Sequence, residues 1–146
     1  MRCVQWAVVG LLPAALLGCG GDGDRVRVTG TVTLNGDPLP HALVTFHPDG
    51  ATGGLGGSGK TVADGRYTLT PAQGGPGLLP GAYKVVISRP LRPDGSPPDP
   101  NRPPIESDAR ETLPPIYSDR TATTLTATVS KDAAVHDFAL RTPKKK

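Results

Sequence analysis

Apolar and polar residues alternate along most of the chain after residue 24. In residues 25–34, RVRVTGTVTL, the valines and Leu34 fall on one face and the arginines and threonines on the other. A period of two residues is typical of a half-buried β-strand. The same alternation recurs in HALVTFHP, RYTLT, AYKVVIS, TATTLTATVS and VHDFAL, and no window shows helical periodicity with caps. The chain therefore predicts an all-β, seven-stranded antiparallel Greek-key sandwich over residues 25–141.

The alternation also predicts which side chains fill the core. We expect one residue in two to point inward in each predicted strand. These residues are Val26, Val28, Val32, Leu34, Ala42, Val44, Phe46, Tyr67, Leu69, Tyr83, Val85, Ile87, Leu125, Ala127, Val129, Phe138 and Leu140.

Two long segments interrupt the pattern. Residues 50–59 hold six glycines, which predicts a glycine-rich loop that contributes nothing to the core. Residues 90–115 hold nine prolines, which predicts a proline-rich crossing without helix or central strand. Long loops on a rigid scaffold often bind partners, so both segments are candidate interaction surfaces, with a passive spacer as the alternative for each.

The first 18 residues follow a different pattern. Arg2 is followed by an apolar stretch that Gly10 and Pro13 interrupt, and the stretch is short for a membrane span. This arrangement is typical of a cleaved export signal. Cys3 and Trp6 would leave with it, and the rest of the chain, with Cys19 as its single cysteine, has no disulfide framework.

The end of the signal, Leu16-Leu17-Gly18-Cys19, resembles the lipobox of bacterial lipoproteins. The resemblance implies cleavage between Gly18 and Cys19, attachment of a diacylglyceryl (palmitate-type) lipid to the Cys19 thiol, and export to a bacterial membrane. Residues 19–24 would then form the lipidated cysteine and a flexible tether. The alternative is an ordinary cleaved signal followed by a spare thiol.

Charge argues against nucleic-acid binding. The chain carries a net charge of +3, with 16 basic and 13 acidic residues. Arg2 and Lys144, Lys145 and Lys146 supply four of the positive charges, which leaves 12 basic against 13 acidic residues. A near-neutral body lacks the clustered basic face that nucleic acids require. The basic tail, residues 142–146, is interpreted as a solvated end, with contact to anionic lipid as the alternative.

Fold motifs suggest a family. GTVTLNGDPLPHALVTFHPDG, TVADGRYTLT and LLPGAYKVVIS resemble the carboxypeptidase regulatory-like, or transthyretin-like, β-sandwich. The resemblance spans residues 25–140, and Gly30 and Gly36 match positions where the backbone is tight or has positive φ. In that family the domain is an accessory module that assists folding, docking or surface presentation. The resemblance implies no catalytic residues and no cofactor.

Candidate metal ligands are few. His41 and His47 would lie about 20 Å apart along one strand, too far to share one ion, so surface positions are the preferred interpretation for them and for His136. Asp49, Asp64, Asp94 and Asp99 form no EF-hand loop, so turn formation is the preferred interpretation. No G-x-S-x-G motif is present, and we expect neither metal binding nor catalysis.

Sugar binding by β-sandwiches usually needs exposed aromatic rings. Four of the aromatic residues fall at core positions, which leaves Tyr117, in the segment after the prolines, as the free one. The sequence thus predicts a non-catalytic, lipid-anchored envelope protein that acts as a structural or protein-interaction module. The alternative is a carbohydrate- or small-ligand-binding surface lipoprotein that uses Tyr117.

Overall fold

A computed structural model describes residues 24–142. The predicted signal segment, the cleavage and lipidation positions Gly18 and Cys19, and the terminal lysines lie outside the described residues. Within residues 24–142, no helix is both long enough and apolar enough to cross a bilayer.

The described chain is built almost entirely from short strands. Their bounds are β1 Thr29–Leu34, β2 Asp37–Pro38, β3 Leu43–Pro48, β4 Gly57–Lys60, β5 Arg66–Thr68, β6 Thr70–Pro71, β7 Gly81–Ser88, β8 Pro90–Leu91, β9 Arg110–Glu111, β10 Thr126–Val129 and β11 Phe138–Leu140. A 3-10 turn spans Pro104–Glu106, and the one-turn helix α1 spans Pro115–Ser118. The all-β fold class is confirmed.

Two main sheets pack face to face. The larger has the order β10-β7-β3-β4-β6 with antiparallel pairs throughout, and the smaller is centred on β1, which pairs with β2, β5 and β11. One pair differs from the antiparallel prediction: β11 runs parallel to β1, with Val32 opposite Phe138. The chain returns across one end of the sandwich between β10 and β11, so β11 starts from the same end as β1.

The predicted core is largely confirmed. Val32, Val44, Phe46, Val85 and Ile87 are fully buried, and the Phe46 ring meets Phe138 of the opposite sheet at a centroid distance of 6.2 Å. Leu34, Leu125 and Phe138 are only half-buried at the margin of this core. Turns and loops add three buried leucines that alternation does not reveal, at positions Leu39, Leu78 and Leu113.

The glycine-rich loop is shorter than predicted. Its last three residues, with Lys60, form β4, an interior strand paired with β3 and β6. A Cβ at Gly59 would overlap the Thr68 carbonyl oxygen, and one at Gly57 would lie 2.9 Å from Leu78 Cδ2. The missing side chains let β5 and β6 cross close to β4 as the chain passes from one sheet to the other. The prediction of a loop is therefore wrong for residues 57–59, whereas none of residues 50–59 belongs to the hydrophobic core, as predicted.

The strand directions define two ends of the sandwich. One end, which we name the tether end after the tether predicted for residues 19–24, holds Asp24, the turn at residues 130–134 and the tether-end loops, which are residues 50–56 and 72–80. At the far end lie the hairpin turns, Thr142 and the far-end loop, which is residues 92–109 of the proline-rich crossing. The eight residues of β7 span the distance between the ends, about 26 Å.

Candidate functional site

A shallow groove of about 750 Å³ lies on the outer face of the smaller sheet. Thr29 and Thr31 of β1 and Thr68 of β5 supply hydroxyl groups, while Lys60 and Arg66 add positive charge. These residues line the groove because outward positions alternate with core positions along each strand. Val62 and Val135, both largely exposed, complete its walls.

At the floor of the groove, the Gly30 backbone lies close to the Tyr67 side chain and the His136 carbonyl. A Cβ at Gly30 would overlap the His136 carbonyl oxygen and lie 2.8 Å from the Tyr67 hydroxyl. Because Gly30 leaves this space open, the Tyr67 hydroxyl donates a 2.6 Å hydrogen bond to that carbonyl. Burial raises the pKa of Tyr67, and the nearby negative charge of Asp137 raises it further. The phenol therefore stays protonated and acts as a donor.

Two carboxylates, Asp137 in the groove and Asp64 beside it, are held by hydrogen bonds. Asp137 Oδ1 accepts a 2.7 Å hydrogen bond from the Thr31 backbone N–H, and Asp64 Oδ2 lies 2.6 Å from Arg66 Nε. Hydrogen bonds from Arg66 lower the pKa of Asp64, which is exposed. Hydroxyls, a guanidinium and a carboxylate can bind a polar ligand. The groove was missed by sequence analysis because its residues come from four separate segments.

Tyr117 is not the free aromatic residue that the sequence predicts. Its ring packs against the core from α1, its hydroxyl donates to the Arg141 carbonyl at 3.1 Å, and it accepts from the Arg141 N–H at 3.2 Å. Tyr117 thus fastens the segment after the prolines to the end of β11. Alternation could not show this, because the partner is a backbone group 24 residues away.

The three histidines occupy different environments. His41 lies exposed in a turn with φ of 61°, and His47 lies on β3 opposite Lys84. The His136 ring packs edge-on against Phe46 at 5.8 Å, so it is less exposed than the surface position expected for it. Among residues 24–142, no three side chains of metal-binding type come together.

The four aspartates weighed as calcium ligands stabilise turns. Asp49, Asp64, Asp94 and Asp99 each accept a hydrogen bond from a backbone N–H one or two residues further along the chain. Hydrogen bonds from Ser96 also lower the pKa of Asp94. The prediction that these residues form turns is confirmed.

The far-end loop projects from the sandwich. β8 and β9 close its base through the pairs Pro90–Glu111 and Leu91–Arg110. Residues 97–106 are almost all exposed, and Ile105 is 94% exposed on the 3-10 turn. Arg92 Nε lies 3.8 Å from Asp108 Oδ1, an interaction at the long limit for an ion pair. The loop therefore presents apolar and charged groups that contribute little to the fold.

The fold and these surfaces define a small all-β sandwich with a polar groove on one sheet and a projecting loop at one end. Known protein families, curated proteins and solved structures contain no significant match to this chain.

Proposed function

We propose that this chain is an exported, lipid-anchored bacterial envelope protein that acts as a non-catalytic structural or protein-interaction module. In this proposal Cys19 carries the lipid, Gly18 precedes the cleavage site, and residues 25–141 form a transthyretin-like Greek-key sandwich of the carboxypeptidase regulatory-like type. The periplasmic or cell-surface face of the membrane is the proposed location. The lipobox and the fold motifs of the sequence support these assignments.

The observation that carries the interaction role is the placement of the far-end loop. The described chain starts at Asp24, at the tether end, whereas the far-end loop leaves the opposite end of β7. A short tether at Cys19 would hold the tether end near the membrane and present the far-end loop about 26 Å further out. Exposed groups such as Ile105 would then meet a partner protein in the envelope.

The second candidate function, carbohydrate or small-ligand binding, is supported by the polar groove. Threonine hydroxyls, Arg66 and Asp137 can hydrogen-bond to sugar hydroxyls. Tyr117 supports this function less than the sequence suggested, since its hydroxyl and ring are already engaged. We therefore place the ligand site of this alternative in the groove rather than at Tyr117.

One experiment tests these proposals together. Native envelopes are cross-linked and fractionated with the wild-type protein, with Cys19→Ser, and with a variant in which Asn-Gly replaces residues 92–109. The replacement preserves the fold because Leu91 and Arg110 are already paired and Asn-Gly forms a two-residue hairpin. Captured protein and polysaccharide are both measured.

We expect Cys19→Ser to leave the membrane fraction and the shortened variant to stay there without its cross-linked protein partner. Membrane association of Cys19→Ser equal to wild type contradicts the anchor. A protein partner retained by the shortened variant contradicts the role of the far-end loop. Capture of the same polysaccharide by both membrane-bound proteins supports the groove and the second function.

A further inference from the structure

We propose that the tether-end loops, residues 50–56 and 72–80, form a lipid-contacting surface and that Leu55 enters the interfacial region of the bilayer. The inference rests on the proposed lipid anchor, because it uses the short distance between that anchor and the sandwich. It assigns a second membrane contact, made by the folded domain itself.

The first argument is the position where the described chain begins. Arg25 Nη1 donates a 3.3 Å hydrogen bond to the Gly77 carbonyl, and the Val26 N–H donates a 2.8 Å hydrogen bond to the Leu78 carbonyl. Both acceptors belong to the second tether-end loop. The chain therefore enters the sandwich alongside these loops.

The second argument is the reach of the tether. Asp24 is the fifth residue after Cys19, and five residues span at most about 17 Å. The sandwich is about 26 Å long, so the tether-end loops are the folded part that a lipid at Cys19 holds nearest to the bilayer.

The third argument is chemical. The 16 residues of the tether-end loops include no charged side chain, so no ionised group must be moved toward lipid when they approach it. Leu55 is 65% exposed at the end of the first loop, and Leu79 of the second loop lies beneath Gly53 and Gly54. The two loops are thus uncharged themselves, the Arg25 side chain borders them at Gly75 and Gly77, and the apolar Leu55 side chain projects from the first loop.

Charges around this surface are balanced. Arg25, Arg27 and Lys131 stand at the tether end together with Asp24, Asp49 and Asp132. Because the local net charge is zero, we expect the contact to depend on the apolar side chain and to form on zwitterionic lipid.

The test measures how close each end lies to lipid. Ala51→Cys, in the first tether-end loop, and Ile105→Cys, in the far-end loop, each add one thiol for a fluorescent label, since both positions are exposed and Cys19 is blocked by its lipid. The full acylated proteins are reconstituted into phosphatidylcholine vesicles that contain a lipid-attached quencher. We expect several-fold stronger quenching at position 51 than at position 105.

A second variant tests Leu55. Leu55→Asp in the Ala51→Cys background should reduce quenching at position 51 several-fold while the urea midpoint stays the same. Quenching there should stay above that at position 105, because the lipid at Cys19 still holds the tether end nearer to the bilayer. Equal quenching at positions 51 and 105 overturns the proposed surface, and undiminished quenching with Leu55→Asp overturns the role of Leu55. The mass of the purified protein separates the two hypotheses: an unmodified Cys19 thiol refutes the proposed function, whereas an acylated Cys19 without selective quenching refutes only this inference.

Discussion

The long loops at the two ends of the sandwich differ in how they pack against the sheets. The tether end uses glycine: its first loop runs into an interior strand, and the Gly56 and Gly57 backbone is buried. The far-end loop is rich in proline. It projects from the sandwich, and the two residue pairs of β8 and β9 join it to the fold. The comparison shows that two segments predicted as loops can pack differently, according to whether glycine or proline dominates their composition.

The physical reason lies in the two residue types. Glycine has no Cβ, so a neighbouring backbone can approach it closely. At Gly59, the Thr68 carbonyl oxygen occupies the space that a Cβ would need. Proline lacks the N–H that a neighbouring strand would need and fixes φ, so a proline-rich segment cannot join an interior sheet position. Six of the 18 residues in the far-end loop are charged, which also favours solvent over burial.

The largest effect is expected where glycine permits packing. We predict that Gly59→Ala lowers the free energy of unfolding by about 3 kcal/mol, because the new methyl group overlaps the Thr68 carbonyl and the strand must shift. Gly53→Ala is the matched control, since its Cβ would meet Leu79 Cδ1 at an ordinary 3.6 Å. Urea denaturation should place this control within about 0.5 kcal/mol of wild type. Equal losses for the two variants would break the contrast between packed and open glycines.

An intermediate effect is expected for two tyrosine hydroxyls. Tyr67→Phe removes the donor to the His136 carbonyl beside Gly30, and we predict a loss of about 2 kcal/mol because that carbonyl is left without this partner. Tyr117→Phe, at the far end, removes longer hydrogen bonds to an exposed backbone and should cost about 0.5 kcal/mol. Thermal or urea unfolding of both variants shows which substitution lowers the stability more. A larger loss for Tyr117→Phe would mean that the far end contributes more stability than we infer.

The smallest effect on stability is expected at His47 of the larger sheet. The chain that follows the far-end loop passes near this residue. Partial burial lowers the pKa of His47 below its usual 6.5, and the positive charge of Arg120 lowers it further. A lowered pKa disfavours protonation of the folded state, so stability is full above pH 6.5 and declines as the pH falls through the folded pKa. Urea midpoints between pH 7.5 and 5 should show a small decline. His47→Gln should abolish this decline and Arg120→Ala should reduce it, and an unchanged slope in His47→Gln would contradict the assignment.

Much of the core was predictable because alternation needs only local information. A strand that is buried on one face must place apolar residues at every second position, and Val44, Phe46, Val85 and Ile87 follow this rule. Leu78 and Leu113 were not predictable, since they stand in irregular segments whose path depends on the sheets beneath them. β4 was missed because a glycine-rich strand has no apolar alternation to detect.

The candidate surfaces show the same division between local and distant information. Asp94 and Asp99 form turns with the next residues, so their role follows from nearby sequence alone. The groove requires β1, β5 and the segment before β11 to lie side by side, and Tyr117 finds its partner in Arg141. Such pairings between distant residues leave no periodic signal in a single sequence.

By itself, the sequence determined the all-β class, most inward positions and the turn-forming aspartates, because strand alternation and turn chemistry act over a few residues. The tertiary structure alone decided the parallel pairing of β11 with β1, the packing of Gly57 and Gly59 within a sheet, the attachment of Tyr117, and the separation of the two loop systems to opposite ends. These features depend on which distant segments become neighbours, and that choice is made by the packing of the whole core.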